Sequence, residues 1–249
     1  MISNFNYRIF FKTPFIIGAG MSHKQYDQAS ILSEGLGYVS TRSIKGKVKD
    51  AIRIHCIRNA DSWQMYKLCT GQKNMDDSRA SNVFCLPDGN QGDLGLCPLC
   101  RIFGSPGGEV QKSFDINGAY YPEQLYEFMK KRSQQIGFRD KYVSRNRNRI
   151  NYELRRTQHD AFFSQGLVEP AYYLEGKIRE LPRHSRYSSD VQKFDRSLLF
   201  LGLRMITGIG SGTSRGAGEC EIYPVDDYWQ DVITEHISLW KKAAQEAGE

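Results

Sequence analysis

The sequence lacks the features that mark membrane and secreted proteins. No apolar run comes near the ~20 residues that a membrane-spanning helix needs, and the best one, residues 198–203, is far too short. The first residues contain no basic region followed by an apolar one, so we expect no signal peptide. These absences predict a cytoplasmic protein that makes no membrane contact and whose six cysteines are reduced.

Several common catalytic signatures are absent as well. The chain has no HExxH pair, no Rossmann fingerprint and no glycine loop that ends in Gly-Lys-Ser or Gly-Lys-Thr. Zinc proteases of the HExxH type, dinucleotide-dependent enzymes and P-loop nucleotidases are therefore disfavoured.

The composition is that of a folded protein with a small excess of positive charge. The 249 residues can bury one sizeable core, and 40% apolar with 25% charged residues is typical of globular proteins. Lysine and arginine number 34 against 28 acidic residues, which gives a net charge of +6. This modest excess favours a polyanionic partner without requiring one.

Hydrophobic periodicity predicts an α+β fold. Apolar residues alternate over residues 4–12, as in a half-buried strand, and recur at helical spacing over residues 43–56. In a second helix Leu125, Phe128 and Met129 form the predicted apolar face. This second helix is predicted over 122–135. Further helices are predicted over 189–206 and 226–249, and further strands over 167–178 and 219–225. This order fits a single domain over residues 1–249, with a ferredoxin-like (RRM-like) βαββαβ core and an appended C-terminal helix over 226–249.

A glycine-rich segment over residues 208–218 is the strongest local signal in the chain. Ser211, Thr213, Ser214 and Arg215 lie among its glycines. Dense glycine allows backbone N–H groups to approach a phosphate, while the hydroxyls and the guanidinium add hydrogen bonds and charge. We therefore predict contact with a phosphate or an RNA backbone, in preference to the alternative of a flexible turn.

The helix predicted over residues 43–56 begins in a second basic segment. Ser43 is its predicted N-cap, and Arg42, Lys45 and Lys47 lie around it. Free N–H groups at a helix start bind phosphates, although a solvated basic helix end is an equally good explanation. An RNA-binding role requires that the stretches around Lys45 and Arg215 lie side by side and contact the same sugar–phosphate strand.

The aperiodic residues 57–110 predict an insertion that a metal holds together. Cys85, Cys97 and Cys100 supply three thiols, two of them with the C-x2-C spacing typical of structural zinc sites. The candidates for the fourth ligand are His55, Cys56 and Cys69. We favour His55, because one imidazole with three thiolates is a usual zinc set and Cys56 is predicted on another helix face. Free cysteines in a core are the alternative.

Residues 139–156 are strongly basic, with seven basic and two acidic residues. Arg147 and Arg149 lie at the centre of this segment, and Tyr142 and Tyr152 are interspersed. Cations for phosphates and aromatic rings for bases suit single-stranded RNA, although a solvated surface hairpin fits the composition equally well.

Asp27 lies in the polar loop after the first predicted strand, four residues after His23. A carboxylate there is able to bind a divalent metal or to assist proton transfer from a ribose hydroxyl. Most loop aspartates are turn residues, which is the alternative for Asp27.

Four segments in register resemble the CRISPR-associated RAMP superfamily. They are Ser43-Ile-Lys-Gly-Lys, Cys97-Pro-Leu-Cys-Arg-Ile-Phe-Gly, Arg149-Ile-Asn-Tyr-Glu-Leu-Arg-Arg-Thr, and the glycine-rich segment with its Thr-Ser-Arg-Gly-Ala-Gly ending. The resemblance spans residues 5–225 and is greatest to the backbone subunit of type III CRISPR effectors. One departure is Ile150-Asn151-Tyr152, where the family has Ile-Asp-Arg.

The resemblance implies an RRM-like fold that binds crRNA together with other type III subunits and stacks on copies or paralogues of itself. It also implies a thumb hairpin over residues 141–166 that interrupts the guide–target duplex. The RNA-binding candidates are Arg42, Ser43, Lys45, Lys47, Arg147, Arg149, Gly210, Ser211, Gly212, Thr213, Ser214 and Arg215. The structural zinc would be held by His55, Cys85, Cys97 and Cys100.

In catalytic members of the family, an aspartate in the loop after the first strand directs metal-dependent cleavage of target RNA, and Asp27 occupies the matching position. The implied reaction is attack of a 2′-hydroxyl on the neighbouring phosphate, with Asp27 holding Mg²⁺ or Mn²⁺ or positioning the hydroxyl. Two alternatives stay open. One is a non-catalytic structural paralogue in the same filament, and the other is a repeat-processing endoribonuclease with His23 as general base.

Overall fold

The computed structural model describes residues 4–18, 28–59, 68, 96–105, 110–135, 142–151, 156–169, 172–225, 231–235 and 237–238. Asp27, Cys69 and Cys85 lie outside these residues, as does most of the insertion predicted over 57–110. Residues 231–235 and 237–238, within the segment predicted as a C-terminal helix, are helical. Among the described residues, no helix is both long and apolar enough to cross a membrane.

Besides these C-terminal helical residues and two 3-10 turns, the described residues form nine strands and four helices. In chain order they are β1 Asn4–Phe11, β2 Gln28–Ala29, β3 Leu32–Ser33, β4 Leu36–Gly37, α1 Thr41–Arg58, α2 Pro98–Phe103, β5 Phe114–Tyr120, α3 Glu123–Gln135, β6 Val143–Asn151, β7 Arg156–Leu167, β8 Tyr173–Glu180, α4 Ser189–Arg204 and β9 Cys220–Pro224.

The largest sheet has four strands in the order β5-β8-β1-β9, and each neighbouring pair is antiparallel. Helix α1 packs on β5 and on α4, and α4 also packs on β9, so both helices cover the same face of the sheet. Along the chain these elements read β1-α1-β5-β8-α4-β9, which is the predicted βαββαβ order. The predicted α+β class is confirmed.

Alternating burial along β1 defines the covered face of this sheet. Phe5, Tyr7 and Ile9 are buried, whereas the residues between them are at least partly exposed. Helix α1 places Ile44, Val48, Ile52 and Cys56 against this face at intervals of four residues. Burial of each large apolar side chain stabilises the fold by about 1.5–3 kcal/mol.

The observed element ends differ from the predicted ones in several places. Helix α1 begins at Thr41, and Ser40 is its N-cap, because Ser40 Oγ accepts a hydrogen bond from the Ser43 amide at 3.3 Å. The strand predicted over 167–178 is divided between the end of β7 and β8. In α3, Met129 is buried but Phe128 is 56% exposed, so the predicted apolar face is wrong at Phe128.

Tyr7 connects three strands of the four-stranded sheet. Its ring lies over Gly176 in β8, and its hydroxyl donates a hydrogen bond of 2.6 Å to the carbonyl of Asn117 in β5. A Cβ at position 176 would overlap this ring, so glycine is required for the close approach. Burial raises the pKa of Tyr7, so its hydroxyl stays protonated and able to donate.

Strands β6 and β7 form an antiparallel hairpin, and β2 extends it to a three-stranded sheet by pairing parallel to β7. Phe15 and Val168 exchange backbone hydrogen bonds of 3.0 and 2.8 Å. The base of the hairpin is therefore attached to the segment that follows β1. A hairpin was expected over residues 141–166, and its role as a thumb stays a prediction.

Helix α2 lies near the C-terminal end of the predicted insertion and is attached to α4 by an ion pair. The Nε and Nη2 atoms of Arg101 donate to the Asp195 carboxylate in α4 at 2.7–3.2 Å. The two side chains are 2% and 0% exposed. Burial alone would lower the pKa of Arg101, but the Asp195 carboxylate outweighs burial and raises it. The pair joins residues that are 94 positions apart.

His184 extends this buried charged network. Its Nδ1 lies 2.6 Å from Glu180 Oε1, and Arg196 donates to the same carboxylate at 2.8 Å. Its Nε2 lies 3.7 Å from Asp195 Oδ2, which is an electrostatic contact and not a hydrogen bond. Burial lowers the pKa of His184, but the two carboxylates outweigh this effect and raise it.

Candidate nucleic-acid interface

The glycine-rich segment folds back on the residues that follow β1. The Ser211 amide donates to the Ile16 carbonyl at 2.9 Å, and the Gly218 amide donates to the Pro14 carbonyl at 2.9 Å. Gly210 and Gly218 have φ values of +101° and +70° and lie where a Cβ would overlap a neighbouring carbonyl. Glycine is therefore needed at these two positions to hold the segment against the core.

The exposed centre of the segment is a single 3-10 turn over Thr213–Arg215, between Gly212 and Gly216. Ser214, Arg215 and Gly216 are exposed at its surface. Within the described ranges, no backbone carbonyl accepts a hydrogen bond from the amides of Gly212, Thr213 or Ser214. These N–H groups, two hydroxyls and one guanidinium are the donors that a phosphate requires.

The N-terminus of α1 carries cations and no carboxylate in its first turn. Thr41 Oγ1 accepts a hydrogen bond of 2.9 Å from the Gly118 amide, which fixes the first turn of α1 against β5. Arg42 is exposed, and Ser43 shares a hydroxyl–hydroxyl hydrogen bond of 2.9 Å with Ser40. The positive end of the helix dipole therefore has no acidic side chain of its own turn to neutralise it.

One groove of about 690 Å³ lies between α1 and the glycine-rich segment, and we refer to it as the groove. Lys47 lines it from α1, and Thr213, Ser214 and Gly216 line it from the glycine-rich segment. Its apolar lining comes from Ala51, Ile54, Met205 and Ile206. Residues from the two stretches around Lys45 and Arg215 thus border one groove, although Lys45 and Arg215 themselves do not line it.

Two carboxylates also line the groove, and both have cationic partners. Asp50 accepts a hydrogen bond of 2.8 Å from Arg53, and Glu219 lies 4.0 Å from Lys12. Their negative charge is therefore partly compensated before any ligand approaches.

Lys45 and Lys47 lie on different sides of α1. Lys47 lines the groove. Burial raises the pKa of the Cys220 thiol to about 12, and the positive charge of Lys47 partly opposes this rise. Burial lowers the pKa of Lys45, and the neighbouring Lys112 lowers it further. Of these two lysines, Lys47 therefore has the closer geometric connection to the glycine-rich segment.

The hairpin contacts the glycine-rich segment through Arg145 in β6. Its Nη2 donates to the Arg215 carbonyl at 3.2 Å. Arg147 and Arg149 follow at alternate positions in the same strand, and their side chains lie outside the part of the chain that the structure describes. The hairpin therefore contacts the glycine-rich segment, which in turn shares the groove with Lys47 of α1.

The loop that contains Asp27 is closed by contacts between its described ends. Ile17 donates its amide to Ser30 Oγ at 3.1 Å, and Gly18 forms an antiparallel bridge with Ser30. The Tyr142 hydroxyl, at the hairpin base, donates to the Ser30 carbonyl at 3.1 Å. Asp27 itself lies outside the described residues, and the next residue, Gln28, begins the β2 strand that pairs with β7.

Cys97 and Cys100 lie one helical turn apart at the start of α2, and they are 7% and 4% exposed. Cys56 lies on the buried stripe of α1, not on the separate face that was predicted for it, and His55 is half-buried beside it. Burial and the nearby Cys97 raise the pKa of the Cys56 thiol to about 12. Among the residues the structure describes, no group of three or more His, Cys, Asp or Glu side chains is placed to hold a metal.

Sequence reasoning missed three residues at this interface. Ser40 caps α1, Thr41 orients its first turn, and Arg145 joins the hairpin to the glycine-rich segment. The Ser40-Thr41 pair immediately before the basic residues was a usable signal for the cap, because Ser and Thr favour helix N-termini. No sequence signal identifies Arg145 among the other arginines of its segment.

Comparison with protein families gives one match, which covers most of the chain. The family model of the RAMP superfamily matches residues 8–221, a range that includes the second half of β1, the residues that line the groove, the hairpin and the glycine-rich segment. No curated protein matches the chain. The chain therefore belongs to the RAMP superfamily, and this membership supports a CRISPR-associated, RNA-binding role.

Proposed function

We propose that this protein is a crRNA-binding backbone subunit of a type III CRISPR effector. It holds the sugar–phosphate strand of the guide in the groove between α1 and the glycine-rich segment. The observation that carries this proposal is that Lys47 and the donors Thr213 and Ser214 line one groove. Cations and hydroxyls that face each other across a groove are suited to successive phosphates of one strand.

The hairpin acts as the thumb of this subunit and separates guide from target at intervals. Its contact with Arg215 through Arg145 supports a continuous path from the groove to the hairpin. Arg147 and Arg149 contact the backbone of the duplex near the interruption. Copies or paralogues of the subunit stack along the guide, and other type III subunits complete the complex.

The test of guide binding removes one positive charge at a time, either at the proposed RNA contact or on a distant surface. Lys47→Ala and Arg215→Ala should each weaken binding of single-stranded guide RNA several-fold and lower the slope of log Kd against log salt by about 0.7. Lys131→Ala is the matched control, because Lys131 is exposed on α3, outside the groove. Equal effects of Lys47→Ala and Lys131→Ala would exclude the groove as the binding site.

Cleavage of target RNA at Asp27 is the second part of the proposal. A 2′-hydroxyl attacks the adjacent phosphate, and Asp27 holds Mg²⁺ or Mn²⁺ or positions the hydroxyl. The anchoring of the neighbouring β2 to the hairpin supports a fixed distance between this loop and a target strand at the thumb.

Activity of the assembled complex separates this proposal from its alternatives. Asp27→Ala should abolish cleavage of target RNA and leave guide binding unchanged. If the variant cuts every site as well as the unmodified complex does, the subunit is a structural paralogue. Cleavage of repeat RNA by the isolated protein, with no added metal, would instead favour a processing endoribonuclease with His23 as the base.

A structural zinc ion held by His55, Cys85, Cys97 and Cys100 is the third part of the proposal. The two buried thiols of Cys97 and Cys100 on one turn of α2 fit half of a tetrahedral site, and the proximity of Cys56 to Cys97 supports Cys56 as the alternative fourth ligand. When bound, zinc would supply folding free energy to the insertion. Metal analysis should find one zinc per chain and less after Cys97→Ser, and a content well below one in the unmodified protein would contradict this part.

A further inference from the structure

The face of the four-stranded sheet that α1 and α4 do not cover carries several exposed side chains. In β1, Arg8 and Phe10 point to this open face, because they alternate with the buried Tyr7 and Ile9. Phe10 is 40% exposed, and Tyr223 in β9 is 37% exposed. Exposure of large aromatic side chains to water is unfavourable, and a cluster of them at a surface is typical of binding sites.

Three aromatic side chains on this face form a row across adjacent strands. Phe10 is the register partner of Tyr173 in β8, and their ring centroids are 5.4 Å apart. On the other side, the ring of Phe10 meets that of Tyr223 edge-on at 5.7 Å. We refer to Tyr173, Phe10 and Tyr223 as the aromatic row. It crosses β8, β1 and β9, directly from Tyr173 to Phe10 and diagonally from Phe10 to Tyr223, which is the register partner of Arg8.

An arginine lies over each end of the aromatic row. The guanidinium carbon of Arg8 is 4.6 Å from the centroid of the Tyr173 ring, and that of Arg204 is 5.0 Å from the centroid of the Tyr223 ring. Both distances are within the range of cation–π contacts. Guanidinium planes and aromatic rings are the two kinds of group on which unpaired RNA bases stack.

The charges of the open face leave a surplus of cations. Glu175 pairs with Arg8 at 3.3 Å, Glu221 pairs with Lys12, and Asp115 pairs with Lys112 at 2.5 Å and Arg179 at 3.3 Å. Two further cations lie at this face: Lys177 in β8 forms no ion pair within the described part of the chain, and Arg204 donates to the Ile222 carbonyl at 3.2 Å and lies near Glu221, which already pairs with Lys12. Each carboxylate of this face thus already has a cationic partner, and Lys177 and Arg204 add positive charge that phosphates would meet.

The aromatic row lies next to the glycine-rich segment. The backbone amide of Lys12, two residues after Phe10, donates to the carbonyl of Glu219 at 2.8 Å, and Glu219 directly follows Gly218. A strand that leaves the groove over the glycine-rich segment therefore reaches this end of the open face without crossing another element of the sheet.

The chemistry of the surface favours nucleotides over an apolar protein partner. The exposed large hydrophobic side chains of this face within the described residues, Phe10, Tyr120 and Tyr223, are all aromatic. Within the described residues, this face has no exposed aliphatic patch of the kind that an apolar protein partner would bury. Aromatic rings with cations beside them are the composition of single-strand nucleic-acid platforms.

We propose that the aromatic row is a second RNA contact, on which one or two unpaired bases stack beside the strand held in the groove. This inference rests on the proposed RNA binding and extends it to the bases. The phosphates between the stacked bases are neutralised by Lys177 and Arg204. The contact is sequence-tolerant, because every base offers a ring face for stacking.

The test measures how the full-length protein binds a single-stranded oligoadenylate and an abasic ribose-phosphate oligomer of the same length. Phe10→Ala and Tyr223→Ala should each weaken oligoadenylate binding about tenfold and leave binding of the abasic oligomer unchanged. Phe10→Leu should behave like Phe10→Ala, because it keeps the apolar volume and removes the ring. Phe128→Ala is the matched control, since Phe128 is 56% exposed on α3.

The outcomes separate this inference from the proposed function. Equal loss for both oligomers, or no loss for either, would overturn the stacking role while Lys47→Ala still weakens both. Loss of self-association in the Phe10 variants, with unchanged RNA affinity, would show that the face binds protein instead. Failure of the unmodified protein to bind either oligomer would overturn RNA binding itself.

Discussion

The two sides of the four-stranded sheet contain the same kind of ion pair in opposite environments. On the helix-covered side, Arg101 and Asp195 are 2% and 0% exposed and lie 2.7 Å apart. On the open side, Arg8 and Glu175 are 37% and 30% exposed and lie 3.3 Å apart. Water cannot replace a lost partner in the first pair, whereas it readily does so in the second. Charges on the covered side therefore maintain the fold, and those on the open side are available for binding.

The largest expected effect is that of breaking the buried pair. Asp195→Ala should lower the free energy of unfolding by about 3–5 kcal/mol, because it leaves the buried guanidinium of Arg101 without its carboxylate. Urea unfolding followed by circular dichroism measures this change. The double variant Arg101→Met with Asp195→Leu should lose less than the single variant, because it leaves no buried charge without a partner. A larger loss in the double variant would show that the pair itself, and not the orphaned charge, carries the stability.

A smaller effect is expected from crowding the covered face at Gly176. Gly176→Ala should cost about 1–3 kcal/mol, because the new methyl group overlaps the Tyr7 ring. Gly46→Ala is the matched control in α1, where no atom lies within 4 Å of the added methyl group. The control should gain about 0.5–1 kcal/mol, since alanine has the higher helix propensity. Thermal or urea unfolding of both variants checks the opposite signs.

The covered side should also respond to pH through His184. Its pKa in the folded state is raised above the ordinary 6.5, because Asp195 and Glu180, which also bind Arg101 and Arg196, outweigh the effect of burial. The stabilisation by charged His184 is complete below pH 6.5 and is lost as the pH rises through its folded pKa. The free energy of unfolding should therefore fall more between pH 6 and pH 9 in the unmodified protein than in the His184→Gln variant. An equal fall in both proteins would exclude His184 as the source.

The smallest effect is expected on the open side. Glu175→Gln should change the free energy of unfolding by less than about 1 kcal/mol, because both members of its ion pair are partly exposed. The measurement is urea unfolding at low and high salt, and the small difference from the unmodified protein should disappear at high salt. A loss similar to that of Asp195→Ala would remove the distinction between the two sides.

The main helices and the first and last strands could be predicted because one local pattern specifies each of them. β1, α1, α4 and β9 lie within about three residues of their predicted ends, since each presents a single apolar face over several turns or residues. Helix α2 was not predicted, because six residues are too few to show periodicity. At Phe128 the pattern is present but misleading. Its helical spacing predicts a place on the apolar face of α3, whereas the structure leaves it exposed.

The candidate site was predictable in its parts but not in its pairing. Glycine density and helix-start chemistry predict two phosphate-binding segments, and the structure places Lys47 from one and Thr213, Ser214 and Gly216 from the other on one groove. Which lysine faces that groove depends on the rotation of α1 about its axis, which packing against β5 and α4 determines. Arg101 and Asp195 were invisible to sequence reasoning, because charged residues are normally expected at the surface and these two meet only in the folded chain.

The transverse hydrogen bond of Tyr7 and the contact of its ring with Gly176 make the alignments of three strands depend on one another. β5 follows the long insertion in the chain and β8 follows the hairpin, so the three strands that Tyr7 connects come from segments separated by two excursions of the backbone. A one-residue slip of β8 would place a side chain under the tyrosine ring in place of Gly176, and a slip of β5 would move the acceptor carbonyl away from the hydroxyl. Tyr7 can therefore form both of its contacts only when all three strands have their native alignment.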